Sequence, residues 1–168
     1  MTVRELDRTA FVVRFGGVFE HSPWVAETAY DAGLDASCET AAGLHGLMAA
    51  AMMVGDDVKK LALINAHPDL AGRLARAGRL TPDSTREQAS AGLDQLTDEE
   101  RARFTQLNDA YKARFGFPFI MAVKGRSKAE IMAAFERRIA HDRDQEFSTA
   151  LEEISRIALL RLKDMLPD

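Results

Sequence analysis

Ala66-His67-Pro68-Asp69-Leu70 places an imidazole directly before a proline, where the α region is disfavoured and a helix must stop. A ring held at the end of a rigid element can face a cavity and work as a general acid or base near neutral pH. A histidine also suits a helix C-terminus with no chemistry attached, so its partners decide between the two readings. Ser84, Glu87 and Gln88 are three and four residues apart, and on a helix they would share one face carrying a hydroxyl, a carboxylate and an amide. If that helix packs near His67, the carboxylate would fix one tautomer of the ring and raise its basicity; otherwise the three form an ordinary solvated face. Arg161 is the third candidate. It recurs with Phe147, Ala150, Leu151, Ile154, Ile157, Ala158 and Met165 at the spacing of one buried helical stripe. A buried guanidinium needs a carboxylate, carbonyl oxygens or a ligand anion, so Arg161 is either half of a structural ion pair or a grip on an anionic substrate.

Other chemistries fit the residues less well. His67 and Asp69 are too few to hold a metal, and neither a His-Glu-x-x-His pattern nor a cysteine pair is present. His141-Asp142 matches the dipeptide of HD-type metal phosphohydrolases, but it falls between two predicted helices, where His141 suits a C-terminus and Asp142 or Asp144 a following cap. There is no Gly-rich phosphate loop, Gly-x-Ser-x-Gly elbow or dinucleotide fingerprint. Cys38, the only cysteine, reads as buried packing and excludes an intrachain disulfide.

The elements that must position these groups are helical throughout. A first helix over 7–15 runs into Gly16-Gly17, and Ser22-Pro23 opens a second that ends at Gly33. Ser37 can cap a third that reaches Gly55, and Asp56 restarts the chain into a short helix leading to His67. A brief turn near 70–75 precedes Thr81-Pro82, which opens the helix bearing Ser84, Glu87 and Gln88. Thr97-Asp98-Glu99-Glu100 and Ser127-Lys128-Ala129-Glu130 are capping boxes, the second starting a helix with Ile131, Phe135 and Ile139 inward. Between those two helices, Phe115-Gly116-Phe117-Pro118-Phe119-Ile120 opposes helix through glycine and proline. It reads as an extended apolar strap that either plugs the core or closes a pocket, turning backbone polar groups toward a ligand. A last helix covers about 144–166. The expectation is an all-α bundle of about eight helices with a strap near 115–121.

Totals bound the function. A chain of 168 residues suits one domain, 1–168, with a substantial core. Its 46% hydrophobic and 29% charged residues are ordinary for a globular protein, and a net charge of −4 without a basic face argues against nucleic acid as a partner. No apolar run reaches membrane length, the N-terminus has no signal-peptide core, and the ending Met165-Leu166-Pro167-Asp168 is not a peroxisomal tripeptide. A cytoplasmic location is expected.

Six segments in order resemble one family. They are Phe19-Glu20-His21-Ser22-Pro23-Trp24-Val25-Ala26-Glu27, Ala66-His67-Pro68-Asp69-Leu70, Ser84-Thr85-Arg86-Glu87-Gln88, Ala91-Gly92-Leu93, Phe115-Gly116-Phe117-Pro118-Phe119-Ile120 and Ile157-Ala158-Leu159-Leu160-Arg161-Leu162. Together they resemble 2-oxo-4-hydroxy-4-carboxy-5-ureidoimidazoline (OHCU) decarboxylase, an enzyme of urate and hence purine breakdown. The resemblance implies an all-α homodimer that needs no cofactor and converts OHCU to (S)-allantoin with loss of carbon dioxide. It implies His67 as the catalytic histidine and Glu87 as its partner. Ser84, Gln88, Arg161 and the main chain of Phe117, Phe119 and Ile120 would hold substrate, and Pro68 would shape the site. The alternatives are a helical protein-interaction module, in which these residues need not converge, and an HD-type metal phosphohydrolase using His67, His141 and Asp142.

Overall fold

A computed structural model describes the backbone of all 168 residues and every side chain except those of Leu74 and Arg76. Among the described residues the secondary structure is helical, as expected. The helices are α1 (Arg8–Phe15), α2 (Trp24–Ala32), α3 (Ala41–Met53), α4 (Asp57–Asn65), α5 (Arg73–Arg76), α6 (Pro82–Ser90), α7 (Asp98–Phe115), α8 (Lys128–Arg138) and α9 (Arg143–Lys163), with 3-10 turns at Val3–Glu5 and Ala36–Glu39. Eight helices of eight residues or more and one four-residue turn match the expected bundle.

Local chemistry places most boundaries. Asp7, Asp56 and Thr81 accept from the first-turn amides of α1, α4 and α6, and Thr97 and Ser127 each close a complete capping box. Gly116 ends α7 in the left-handed region at φ 79°, where a side chain would be strained. Two caps differ from expectation. Asp35 caps the 3-10 turn that contains Ser37, and Thr40 caps α3 by accepting from Gly43 N–H. Ser22 does not cap α2, because its hydroxyl donates back to Glu20 O at 2.9 Å. In both places another short polar side chain or a local carbonyl captured the hydroxyl.

The chain divides into two compact units. The first comprises Met1–Ala66 and Ile154–Asp168, and its core is built on Phe11, Phe15, Leu44, Met48, Met52 and Leu162, all 2% exposed or less. Phe11 packs on Phe15 and Tyr30 at ring separations of 5.0 and 5.5 Å. The second, His67–Glu153, is organised around aromatic rings. Tyr111 meets Phe115, Phe117, Phe119 and Phe135, and Phe119 stacks flat on Phe135 at 3.9 Å.

The buried stripe of α9 departs from the apolar pattern. Ala150, Leu151, Ile154, Ala158, Arg161 and Leu162 are buried, but so are Glu146 and Glu153, while Met165 is 37% exposed. Phe147 and Ile157 are half-buried. Two carboxylates therefore enter a face that hydrophobicity alone would not assign to them. For Glu146 the reason is visible, since three donors converge on it.

Candidate active site

His67 follows the C-cap of α4 and is buried, 8% exposed. The loop it begins is clamped from two helices. On α6, Gln88 Oε1 accepts from Ala71 N–H at 2.9 Å, and Gln88 Nε2 reaches Asp69 O at 3.5 Å. On α7, Asn108 Nδ2 donates to Leu70 O at 2.9 Å and Lys112 Nζ donates to Asp69 Oδ2 at 2.7 Å. The clamps hold Ala71 at φ 52°, a left-handed conformation that persists only where surroundings over-determine it. Gly72 is needed where it stands, because a Cβ there would come within 2.5 Å of Asp69 Cβ. The backbone from 69 to 72 is thus set before any ligand arrives.

Helix α6 begins with Thr81 as cap and Pro82 in the first turn, where proline's fixed φ is already helical. Ser84 and Gln88, one turn apart, are each 6% exposed, and Glu87 is half-buried. The expected polar face therefore points largely inward instead of into solvent. Because Gln88 grips the backbone of Asp69 and Ala71, α6 does pack against the loop that starts at His67. A cavity of about 490 Å³ opens here, lined in part by Ala71, Leu80, Thr85, Gln88, Leu93 and Arg101.

The strap expected near 115–121 starts two residues later, because Phe115 is the last residue of α7 and Gly116 its cap; residues 117–123 take neither helix nor strand. Phe117, Phe119 and Ile120 are 1%, 1% and 3% exposed, so their side chains plug the core. Their backbone does something else. Among the described residues the amides of Phe119, Ile120 and Met121 donate no hydrogen bond, while the Ile120 carbonyl accepts from Arg138 Nη1 at 2.7 Å. Arg138 is 4% exposed, lies over the Phe119 ring at 4.3 Å, and pairs through Nε with Glu146 Oε1 at 2.9 Å. Glu146, fully buried, also accepts from Tyr111 Oη at 2.6 Å and meets His141 Nδ1 at 3.0 Å. Burial, then the adjoining Glu146 carboxylate, pushes the Tyr111 hydroxyl far above its ordinary value, so it stays a donor. His141 is thus a member of this network, and Asp142 caps α9 through Gln145 N–H at 2.8 Å.

Arg161 belongs to the first unit. It is 5% exposed and pairs with the buried Glu20, Nη2 to Oε2 at 2.9 Å, while Nη1 lies 3.3 Å from Val18 O and 3.4 Å from Gly17 O. A carboxylate and carbonyl oxygens, two of the three partners its burial demanded, are therefore present. Glu20, Asn108, Tyr111, Arg138 and Glu146 carry much of the polar framework, and the sequence reading gave them no role. Arg138 could have been found, because it lies seven residues after Ile131 on the inward face of α8 and breaks the apolar stripe just as Arg161 does in α9.

The chain is thus an all-helical protein with a buried histidine at the start of a preset loop, braced by a helix whose inward face carries a hydroxyl and an amide. A family model for OHCU decarboxylase matches residues 4–163, and the chain belongs to that family. It is 44% identical to a 2-oxo-4-hydroxy-4-carboxy-5-ureidoimidazoline decarboxylase of Halalkalicoccus jeotgali over 98% of this chain and 92% of that protein. It is also 44% identical to one of Haloferax volcanii, over 96% and 92%. The uric acid degradation bifunctional protein PucL of Bacillus subtilis is 39% identical over 99% of this chain and 32% of its own length. Among solved structures, an (S)-allantoin synthase superposes with a TM-score of 0.75 at 33% identity, covering 99% of this chain; this chain spans about half, 54%, of that one.

Proposed function

We propose that this chain is a carboxy-lyase of urate breakdown that converts OHCU to (S)-allantoin, with His67 as the proton-transferring group and Glu87 as its partner. Family membership across residues 4–163 supports the activity. The observation that carries the site is the grip of Gln88 on the His67 loop, which brings the helix of Glu87 against the segment His67 begins. In the reaction the bond from ring carbon to carboxylate breaks, and its electron pair moves into the ring toward the imine. The imine is therefore the electron sink, and the protein's task is to hold the ring and manage protons. His67 takes the proton of the neighbouring hydroxyl, which becomes a carbonyl, and returns it to a single face of the adjacent ring carbon, which sets the hand of the product; the former imine nitrogen takes one proton from solvent in place of the charge lost with carbon dioxide. Glu87 fixes the imidazole tautomer. Ser84, Gln88 and the free amides of the strap hold the ureido and carbonyl groups, Pro68 keeps His67 at the loop entrance, and Arg161 steadies oxygens where charge grows as carbon dioxide leaves. We read the chain as one functional domain, working as a cytoplasmic homodimer on a small-molecule substrate without cofactor.

Freshly oxidised urate, followed by circular dichroism with and without the protein, tests the reading. Faster growth of an (S)-allantoin signal is expected; an unchanged trace overturns the activity.

A further inference from the structure

The strap lacks a partner strand, so something else must fix its backbone. Arg138 is the one side chain of the described residues that donates to a carbonyl between 117 and 123. Its guanidinium is itself immobilised on three sides, by Glu146 at Nε, by the Phe119 ring beneath it, and by burial. Glu146 is held in turn by Tyr111 and His141. Nη2 of Arg138 is buried without a hydrogen-bond partner, which is costly and tolerated where the geometry serves another end. The planar fork accounts for the residue type: one edge reads the carboxylate while another reaches the carbonyl, which an ammonium on a flexible stem cannot reproduce.

We infer that Arg138 is a positioning residue for the decarboxylation, in that it holds the Ile120 carbonyl so that the neighbouring strap amides present a fixed donor array to substrate. This rests on the proposed substrate role of the strap. Arg138 and Glu146 touch no substrate; they set the peptide planes that do.

The test combines kinetics with site-resolved amide exchange in Arg138→Lys, in the isosteric Glu146→Gln, and in Ile131→Ala as a control that damages the same unit by lost packing alone. In Arg138→Lys, kcat/KM for allantoin formation should fall by roughly a hundredfold, the effect of misplacing a substrate contact by about 1 Å. The loss should appear mainly in KM, and the Ile120 and Met121 amides should exchange faster while those of α7 do not. Glu146→Gln should move the same quantities in the same direction by less. The inference is overturned if strap exchange is unchanged in both variants, or if Ile131→Ala, at a matched loss of Tm, reproduces the KM rise. Should the wild-type chain form no (S)-allantoin, the proposed activity fails, and the exchange comparison still decides whether Arg138 fixes the strap.

Discussion

His67 and Arg161 show how differently two polar residues can be buried. The histidine sits in a loop whose backbone is anchored by two other side chains, Gln88 and Asn108, so the imidazole can be exchanged for a smaller polar group without loss of the fold. His67→Asn should therefore keep its helical circular dichroism while kcat falls by about 10²–10⁴, the usual contribution of a positioned acid/base; a variant with full stereospecific activity would remove His67 from the mechanism. Arg161 is bound into structure through Glu20 and the carbonyls of Gly17 and Val18. Arg161→Met takes the guanidinium away from the buried Glu20 carboxylate, and urea unfolding should show a loss of about 3–5 kcal/mol, largely recovered in Glu20→Leu/Arg161→Met. Arg161→Lys keeps the charge and should still lower activity, because a point charge cannot copy a planar fork.

Helix α6 earns its place through Gln88. The Ala71 amide has its acceptor there, and Ala71 sits in a conformation it would not choose alone. Gln88→Ala should cost about 1–3 kcal/mol for the orphaned amide, measured by thermal unfolding, and should raise KM as the loop after His67 relaxes. Equal kinetics would assign Gln88 to structure only. The pattern of α6 was legible in Thr81-Pro82 and in the three-and-four spacing, because caps and periodicity are local. The partners of that face were not, because Gln88 reaches back to the backbone of Ala71 and Asp69, and α7 braces the same loop through Asn108 and Lys112 from more than thirty residues away in sequence. Helix α9 shows the same divide. Its apolar period was readable, but the burial of Glu146 depends on Tyr111, thirty-five residues away, meeting Arg138 and His141 just upstream of α9, and Met165, past the end of that helix, is 37% exposed.

At the scale of the whole molecule, acid should loosen the start of the chain before its core. The Glu39 carboxylate is held below its ordinary value of 4.5, chiefly by the Val3 amide and then by the Arg4 amide and side chain. A carboxyl with a depressed folded value contributes stability that is complete above the unfolded value and is lost as pH falls through the folded one. The tether of Val3 and Arg4 should thus release below pH 4.5, seen as a fall in the protection of their amides relative to the intrinsic exchange rate at each pH, while Phe11 and Leu44 stay protected. Protection of Val3 that does not change with acid would mean that its burial, not Glu39, holds the N-terminus.

The sequence by itself determined the class of fold, nearly all helix starts and stops, and the family, because caps, periodicity and short ordered motifs are encoded within a few residues of where they act. It also determined that Arg161 must find oxygens, since burial of a guanidinium permits nothing else. Only the tertiary structure decided which oxygens: Glu20 and the carbonyls of Gly17 and Val18. It likewise decided that Gln88 braces the His67 loop, and that a charge network on Glu146 lies behind the strap. Those choices depend on which distant segments meet once the apolar faces are buried, and side-chain pairing across such distances leaves no local periodic trace.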